Sequence, residues 1–303
     1  MPVPVQNKPF AGELPLEGLA PSLSGAEFAE IRRLIREAIG IDLKPGKEAL
    51  VSARLSRRLR ERGLATVRDL VEEAQTDRSG ERRAELIDDL TTNYTSFWRE
   101  PEHFEYLARE VVPQWKGRCR VDLWSAACSS GEEPYTMLCA VHNAMGAGAT
   151  QVRLLATDIS RKALAAAQAG IYPADRVAPL PREWAPRYFQ RGSGQWEGQL
   201  RVKQELRSQV EFRRLNLMDD MYQLGPFAVI FCRNVLIYFD RSTQVSLVDR
   251  MAARLEPGGY LFLGHSEGMT GLSGALRSVA PSILHKPASG KAPSGKESVW
   301  KRW

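Results

Sequence analysis

The residues that could do chemistry fall in four short segments, each following an apolar stretch. The first is Ser125-Ala-Ala-Cys-Ser-Ser-Gly-Glu-Glu-Pro-Tyr135. Its small residues let a ligand approach the backbone closely. Ser130 and Glu133 have the spacing of a capping box, and Pro134 is tolerated in a first helical turn. The glycine fingerprint of dinucleotide sites is missing, and two carboxylates at a helix start would repel a phosphate. A ligand with hydroxyls or a cationic amine suits this turn better, although an ordinary tight turn has the same composition. The second segment ends in Asp158, 27 residues beyond Gly131. It can accept hydrogen bonds from two ribose hydroxyls, or simply cap the next helix. The third is Asn216-Leu217, a polar group beside an apolar one, able to bracket an adenine ring or to form a plain surface turn. The fourth is Arg233-Asn234, with Tyr238 four residues on. Together these favour a nucleoside ligand without a pyrophosphate. S-adenosylmethionine fits, having ribose, adenine, ammonium and carboxylate but no phosphate.

Elements of the right kind exist to position these groups. Strand candidates are 121–124, 152–156, 210–212, 227–232 and 260–263. Helical stretches at 132–145, 161–169 and 242–255 lie between them. That alternation predicts an α/β, doubly wound Rossmann-like sheet with its ligand crevice at the carboxyl ends of the strands. Between 188 and 209 the alternation breaks. Leu200, Val202 and Leu206 share one parity, Arg201 and Lys203 the other, and Gly192, Gly194 and Gly198 supply turns, which predicts a small antiparallel β insertion. Residues 24–95 read as an all-α domain. Ser24 and Glu27 form a capping box, with helices expected over about 45–62 and 66–74 and one more containing Leu86, Ile87 and Leu90. The proline-bearing residues 1–23 read as a flexible leader and 287–303 as a flexible tail, leaving 96–286 for the sheet domain.

Composition removes several classes. The 303 residues contain no run of about 18 apolar residues, so no membrane span is expected. No signal peptide is expected at the N-terminus. Cys119, Cys128, Cys139 and Cys232 show no CxxC spacing, which disfavours a metal site or a disulfide framework. The chain carries 42 Lys+Arg against 36 Asp+Glu, a net +6, with a sequence pI near 9.2. So small an excess says little about partners; its distribution says more.

Five segments in order, Asn93-Tyr-Thr-Ser-Phe-Trp-Arg-Glu100, Ser125–Tyr135, Ala156-Thr-Asp-Ile159, Phe231-Cys-Arg-Asn-Val-Leu-Ile-Tyr-Phe-Asp240 and Gly264-His-Ser-Glu267, resemble the chemotaxis receptor methyltransferases, the CheR family. The resemblance spans about 24–286. Phe97-Trp98 stands where two phenylalanines are usual, and Cys128-Ser129 replaces smaller or differently polar residues. It implies a class I S-adenosylmethionine-dependent fold. It also implies methyl transfer to receptor glutamates, giving glutamyl methyl esters and S-adenosylhomocysteine. The implied cofactor contacts fall on Asn93, Thr95, Arg99, Glu132, Asp158, Asn216, Leu217, Arg233 and Asn234, with the adjacent Glu133 a one-residue ambiguity. A glutamate carboxylate, with an ordinary pKa of about 4.3, is already a nucleophile at neutral pH. The site must therefore align and desolvate rather than abstract a proton. Arg99 and Tyr238 are the residues expected to do this, and His265 is expected to be structural.

The 24–95 segment holds 14 basic and 14 acidic residues, yet 44–62 has a net +5. Lys47, Arg54, Arg57 and Arg58 fall within about 100° of helix arc, away from Val51, Leu55 and Leu59. In the family context this face would dock on acidic, glutamate-bearing receptor helices; otherwise it is a solvated face. The insertion at 188–209 resembles the β-subdomain by which some members bind a short peptide at the receptor C-terminus. The expected location is the cytoplasm, at chemoreceptor arrays. A nucleic-acid methyltransferase is the first alternative, but aromatic residues are not interleaved with the basic helix as base stacking requires. A non-catalytic receptor adaptor and an NAD-dependent oxidoreductase follow.

Overall fold

A computed structural model describes residues 23–146, 150–267 and 273–288. The expected leader and tail lie, apart from residues 23, 287 and 288, outside the described residues.

The N-terminal part is a helical module of α1 (Gly25–Ile39), α2 (Glu48–Arg62), α3 (Val67–Thr76) and α4 (Glu81–Leu90). The capping box of Ser24 and Glu27 forms, and a second joins Thr66 to Asp69. α2 starts later than the composition indicates, because Pro45 and Gly46 form a turn and Lys47 takes the N-cap place. Ile31, Ile35, Leu55, Val71 and Leu86 close the module's own core.

A second part follows α5 (Pro101–Tyr106), a π-helical turn (Leu107–Val111) and a 3-10 turn (Val112–Trp115). Its elements are β1 (Arg120–Ala126), α6 (Glu132–Met145), β2 (Gln151–Asp158), α7 (Arg161–Ala169), β3 (Ile171–Pro173), α8 (Ala174–Val177), α9 (Trp184–Tyr188), β4 (Phe189–Arg191), β5 (Gln199–Val202), α10 (Gln204–Arg207), β6 (Val210–Arg214), β7 (Phe227–Cys232), α11 (Arg241–Arg254), β8 (Leu255–Leu263), β9 (Arg277–Ala280) and β10 (Ile283–His285). The main sheet runs β6-β2-β1-β7-β8-β10-β9. Its first five strands are parallel, and β10 and β9 close one edge antiparallel. This edge pair escapes the sequence pattern because both strands are short and β9 is mostly exposed.

Alternate residues of each central strand enter different cores. Val121 and Leu123 of β1 join Phe231 and Phe262 on one face, packed by α5 and α6. Trp124 and Ala126 join Ile230 and Leu261 on the other, packed by Leu247 and Met251 of α11. Apolar runs on strands buried on both faces follow from that double cover. The strand order reverses between β2-β1 and β7, so the ends of β1 and β7 diverge and open a crevice beyond their carboxyl ends.

The insertion is a three-stranded antiparallel sheet, β3-β5-β4. It is wider than 188–209, because β3 comes from the segment after α7. Leu206 belongs to α10 and not to a strand; it is buried with Val202, while Leu200 is half-buried. Parity could not reveal this, since one helical turn also returns a buried residue four positions on.

His103 of α5 is 1% exposed, with its ring against Phe231, Phe262 and His265. Burial drives its pKa down to about 3, and the Arg233 guanidinium adds to the effect. The folded chain therefore carries a neutral imidazole there, whereas the unfolded chain binds a proton below about pH 6.5. Stability contributed by this difference is complete above the unfolded pKa and is lost as pH falls toward the folded one. Between pH 7.5 and 5.5 His103 alone is expected to remove about 1.4 kcal/mol. Denaturant unfolding of wild type and His103→Phe at both pH values checks this, the variant losing less by that amount. Equal losses would refute it.

Candidate active site at the strand ends

The crevice has a volume of about 390 Å³, within the ordinary range for small-molecule sites. It lies between the helical module and the ends of β1, β2 and β7. Asn93, Thr95, Arg99, Asp158, Asn216, Leu217, Arg233, Asn234 and Tyr238 all line it, as do Lys47 and Arg54. Residues up to 200 positions apart in sequence, Ile39 and Phe239, thus share one cavity.

At its floor is a buried ion triad. The Arg233 side chain is 1% exposed and pairs with Glu133 at 3.1 Å and Glu100 at 3.0 Å. Ser125 Oγ donates to the other Glu133 oxygen at 2.7 Å, and Asn234 Nδ2 donates to Glu100 at 3.1 Å. Arg233 also donates to the Arg99 carbonyl. Burial pushes the Glu133 carboxyl up, with Arg233 and Ser125 pulling against it. Burial pushes Glu100 up too, but Asn234 and Arg233 hold it below the ordinary range.

Of the two adjacent glutamates, Glu133 and not Glu132 reaches the crevice. Successive helix residues differ by about 100°, and Glu132 is fully buried on another side of α6. There it pairs with Arg176 at 2.9 Å and accepts from Ser130 Oγ at 2.6 Å. The expected Ser130–Glu133 capping box does not form, because both side chains have these other partners and Gly131 takes the N-cap place.

Asp158 is nearly buried and accepts from the backbone N–H groups of Ser129 (2.8 Å) and Ser160 (2.9 Å). A carboxylate has about four acceptor sites, so lone pairs remain for ligand hydroxyls. Asn216 is more heavily committed than its sequence context indicates. It donates to the Ala38 carbonyl at 2.8 Å and accepts from the Met218 N–H at 3.1 Å. Half-exposed Arg99 donates to the Tyr94 carbonyl at 3.1 Å and lies over the Tyr94 ring. Asn93 is tied through its carbonyl to Ser129 Oγ at 2.9 Å, and Thr95 through its carbonyl to Arg176.

The basic face of α2 divides. Lys47 is exposed, and Arg57 is exposed but paired with Glu61 at 2.7 Å. Arg54 donates to the Leu90 carbonyl (2.8 Å) and Thr92 (3.0 Å). Arg58 is partly buried and held bidentately by Asp89 at 2.8 and 3.1 Å.

Backbone strain concentrates here. Six non-glycine residues have left-handed φ among the described residues. Three of them, Ala127, Ser129 and Asn234, line the crevice, and Trp98 and Glu100 flank its Arg99 in sequence. Each such conformation costs about 1–2 kcal/mol, so something must hold it. For Asn234 the clamp is Glu267, which lies in the Gly264–Glu267 segment but has no role assignable from sequence. Its buried carboxylate accepts from the backbone N–H groups of Asn234 (3.0 Å), Leu236 (2.7 Å) and Gly264 (2.5 Å). Any Cβ at Gly264 would stand 2.6 Å from the Asn234 amide and 2.8 Å from Glu267. Glu100 is another functional residue not assigned from sequence, and Glu133 was named there only as the alternative to Glu132.

Glu100, His103 and His265 bring one metal-ligating atom each within 4.8 Å of one another. The Arg233 guanidinium already supplies positive charge beside Glu100, and a dication would have to displace it.

The donor set suits a ligand that is cationic, hydroxylated and partly aromatic. Carboxylates of Asp158 and Glu133 lie on the crevice wall, Leu217, Ile39, Ile41 and Phe239 give apolar lining, and the deep guanidinium is already neutralised. S-adenosylmethionine has that chemistry.

Comparison with known proteins agrees. Residues 93–282 match the family model described as CheR methyltransferase, SAM binding domain, and 26–91 that described as CheR methyltransferase, all-alpha domain. The chain is 42% identical over 253 residues to the chemotaxis protein methyltransferase of Escherichia coli, covering 83% of this chain and 87% of the relative. It is 41% identical over 252 residues to that of Salmonella typhimurium, with 83% and 86% covered. It is 39% identical over 263 residues to chemotaxis protein methyltransferase 2 of Pseudomonas aeruginosa, with 86% and 93% covered.

The Glu267 clamp has a measurable consequence. Glu267→Gln turns an N–H donor toward at least one backbone N–H, and Glu267→Ala leaves three unpaired. Each variant is expected to lose about 2–3 kcal/mol of stability and to lower turnover about tenfold or more as Asn234 and Tyr238 lose their fixed place. Denaturant unfolding and methyl-transfer rates read both effects, and wild-type values in Glu267→Gln would remove the clamp.

Proposed function

Because the chain belongs to the CheR methyltransferase family, with both domains of that family matched, we propose that it transfers a methyl group from S-adenosylmethionine to glutamate side chains of chemoreceptors in chemotaxis adaptation. The convergence of Arg99, Tyr238 and the cofactor-contact positions on one crevice is the observation that carries this reading. Its working place is then the cytoplasm, at the chemoreceptor arrays. No helix among the described residues is long and apolar enough to cross a membrane.

The cofactor supplies a sulfonium-bound methyl and leaves as the neutral thioether S-adenosylhomocysteine. Asn93, Thr95, Arg99, Asp158, Asn216, Leu217, Arg233 and Asn234 are the residues assigned to holding it, with Glu133 in place of Glu132. The substrate carboxylate is ionised at neutral pH, so no side chain need take its proton. The chain's task is to orient that carboxylate and exclude water from it. Arg99 donates to Tyr94 through one nitrogen only, and its remaining N–H groups can grip a carboxylate. Tyr238 borders the same crevice and can donate its hydroxyl. Receptor contact falls on Lys47, Arg57 and, in part, Arg54; Arg58 serves the internal pairing with Asp89.

Incubation with methyl-labelled S-adenosylmethionine and a purified chemoreceptor should label the receptor, and mild base should release the label as expected of an ester. Arg99→Ala is expected to cut turnover about a hundredfold or more, and Tyr238→Phe about tenfold. Wild-type turnover in both variants would sink the assignment.

A second, finer reading concerns recruitment. Each outer strand of the small sheet, Ile171–Pro173 and Phe189–Arg191, pairs on one side only among the described residues. The free edge beside exposed Trp196 can add a receptor C-terminal peptide as a further strand. Calorimetric titration of such a tail peptide into the full chain should release heat, with affinity falling when Trp196 is replaced by Ala. No heat would mean no tether.

A further inference from the structure

With Glu133 on the crevice side of α6, Glu132 is left as a fully buried carboxylate with no part in the reaction. A buried charge persists only where it is paired, and the cation it meets belongs to neither the main sheet nor the helical module. It is Arg176 of α8, in the insertion. One nitrogen of that guanidinium, Nη2, serves two partners. It stands 2.9 Å from Glu132 Oε1 as an ion pair out of hydrogen-bond alignment, and it donates an aligned hydrogen bond to the Thr95 carbonyl at 3.2 Å. Glu132 therefore holds the guanidinium, and the guanidinium holds residue 95.

Residues 93–100 need such support. They form no helix or strand, yet Asn93, Thr95 and Arg99 all line the crevice. Arg99 sits between Trp98 and Glu100, both with left-handed φ, a conformation that persists only where neighbours over-determine it. On one side the restraint is the Arg233 triad. On the other it is the insertion. The buried Phe97 ring packs edge-on against Tyr172 of β3, with 4.9 Å between centroids, and against Phe189 of β4 at 5.7 Å. The Trp98 ring packs edge-on against Trp184 of α9 at 4.9 Å. Tyr172 also donates its hydroxyl to the Ser130 carbonyl at 2.7 Å, which ties the insertion to the Ser125–Tyr135 turn. Ring packing fixes how near the segment lies but tolerates sliding. A directional bond to a backbone carbonyl fixes its register.

Resting on the methyltransferase reading, we propose that Arg176 is a positioning residue for methyl transfer. Pinned by Glu132, it sets the place of Thr95 and, four residues on, of Arg99 against the Ser125–Tyr135 turn. The insertion is thus part of the frame of the active site, in addition to any recruitment of a receptor tail, and this contribution does not depend on a bound tail. Attacking oxygen, methyl carbon and sulfur must align, and a misplacement of about 1 Å can cost about a hundredfold in rate. Loss of Arg176 leaves the ring contacts and the triad in place, so a smaller loss is expected.

The test separates holding a charge from holding geometry. The Arg176 side chain is 45% exposed, so its replacement opens no core cavity. Arg176→Met strands the Glu132 carboxylate and is expected to lower the thermal unfolding midpoint by about 5 °C. Adding Glu132→Gln removes the stranded charge, with Ser130 still in reach of the amide, and should return the midpoint to within about 2 °C of wild type. The Thr95 carbonyl still lacks its donor. In the double variant kcat for a purified chemoreceptor should therefore stay about tenfold down and Kd for S-adenosylmethionine about fivefold up, with receptor KM within about twofold. The same loss in kcat is expected for a receptor whose C-terminal tail has been removed. A double variant with restored midpoint and wild-type kcat and Kd reduces the pair to a structural one and overturns the proposal. A loss confined to the tailed receptor also overturns it, by making Arg176 a recruitment residue. If the wild-type chain binds S-adenosylmethionine and methylates no receptor, the methyltransferase reading falls, and the Kd comparison still decides whether Arg176 positions the segment.

Discussion

The guanidinium of Arg233 is almost wholly buried at the crevice floor, and much of the crevice is arranged around keeping it there. A buried cation is tolerated only when paired and hydrogen-bonded, and removal of one partner typically costs about 3–5 kcal/mol. Here three partners come from two elements. Glu133 is brought by α6, Glu100 by the turn entering α5, and the Arg99 carbonyl by the same turn. The strand that delivers Arg233 ends one residue earlier, at Cys232. One side chain thereby fixes the relative positions of the turn bearing Arg99, the first turn of α6 and the turn bearing Asn234. The left-handed φ of Glu100 and of Asn234 is the local expense of that arrangement, met by the triad and by the Glu267 clamp.

The helical module closes the crevice through a few specific bonds to the sheet domain. The Asn216 amide holds the Ala38 carbonyl, the Asp42 N–H donates to the Tyr238 carbonyl, and Arg36 pairs with Asp240. Gly40 is needed at this seam, because a Cβ there would stand 2.6 Å from Met218 sulfur. On the other side of the module Arg161 reaches Glu81. The substrate opening is thus built from both parts at once. That is why Leu50 of α2 and Ile237 of the sheet domain can share a rim.

Net charge proved a poor guide until it was divided by location. The whole chain is +6 and the helical module is neutral, yet 44–62 alone is +5. Folding divides it again. Arg58 neutralises Asp89, Arg57 neutralises Glu61, and Arg54 caps the carboxyl end of α4. Lys47 is left facing out beside the crevice. Helical periodicity puts Arg54, Arg57 and Arg58 on one arc, but Lys47 precedes α2 as its N-cap, and part of the arc faces α4, whose acidic residues no periodicity of α2 can report.

Much of this protein was legible in one dimension. Strands β1, β2, β6, β7 and β8, the cap at Ser24, and helices α6 and α7 all follow from short-range patterns, because hydrophobic period and capping are properties of neighbouring residues. The candidate positions Asp158, Asn216, Leu217, Arg233 and Asn234 were legible because acidic and amide residues punctuate the strand ends, whereas Asn93, Thr95 and Arg99 followed only from the family resemblance. Tertiary structure alone decided which of those groups meet and which have other partners. It set Glu133 in the crevice and Glu132 against Arg176, committed Asn216 to the module seam, and gave Glu100 and Glu267 their roles. It also joined Leu50, Tyr94 and Ile237 into one surface. The physical reason is that ion pairing, clamping and rim formation depend on distances between segments up to 204 residues apart, and neither period nor composition carries those distances.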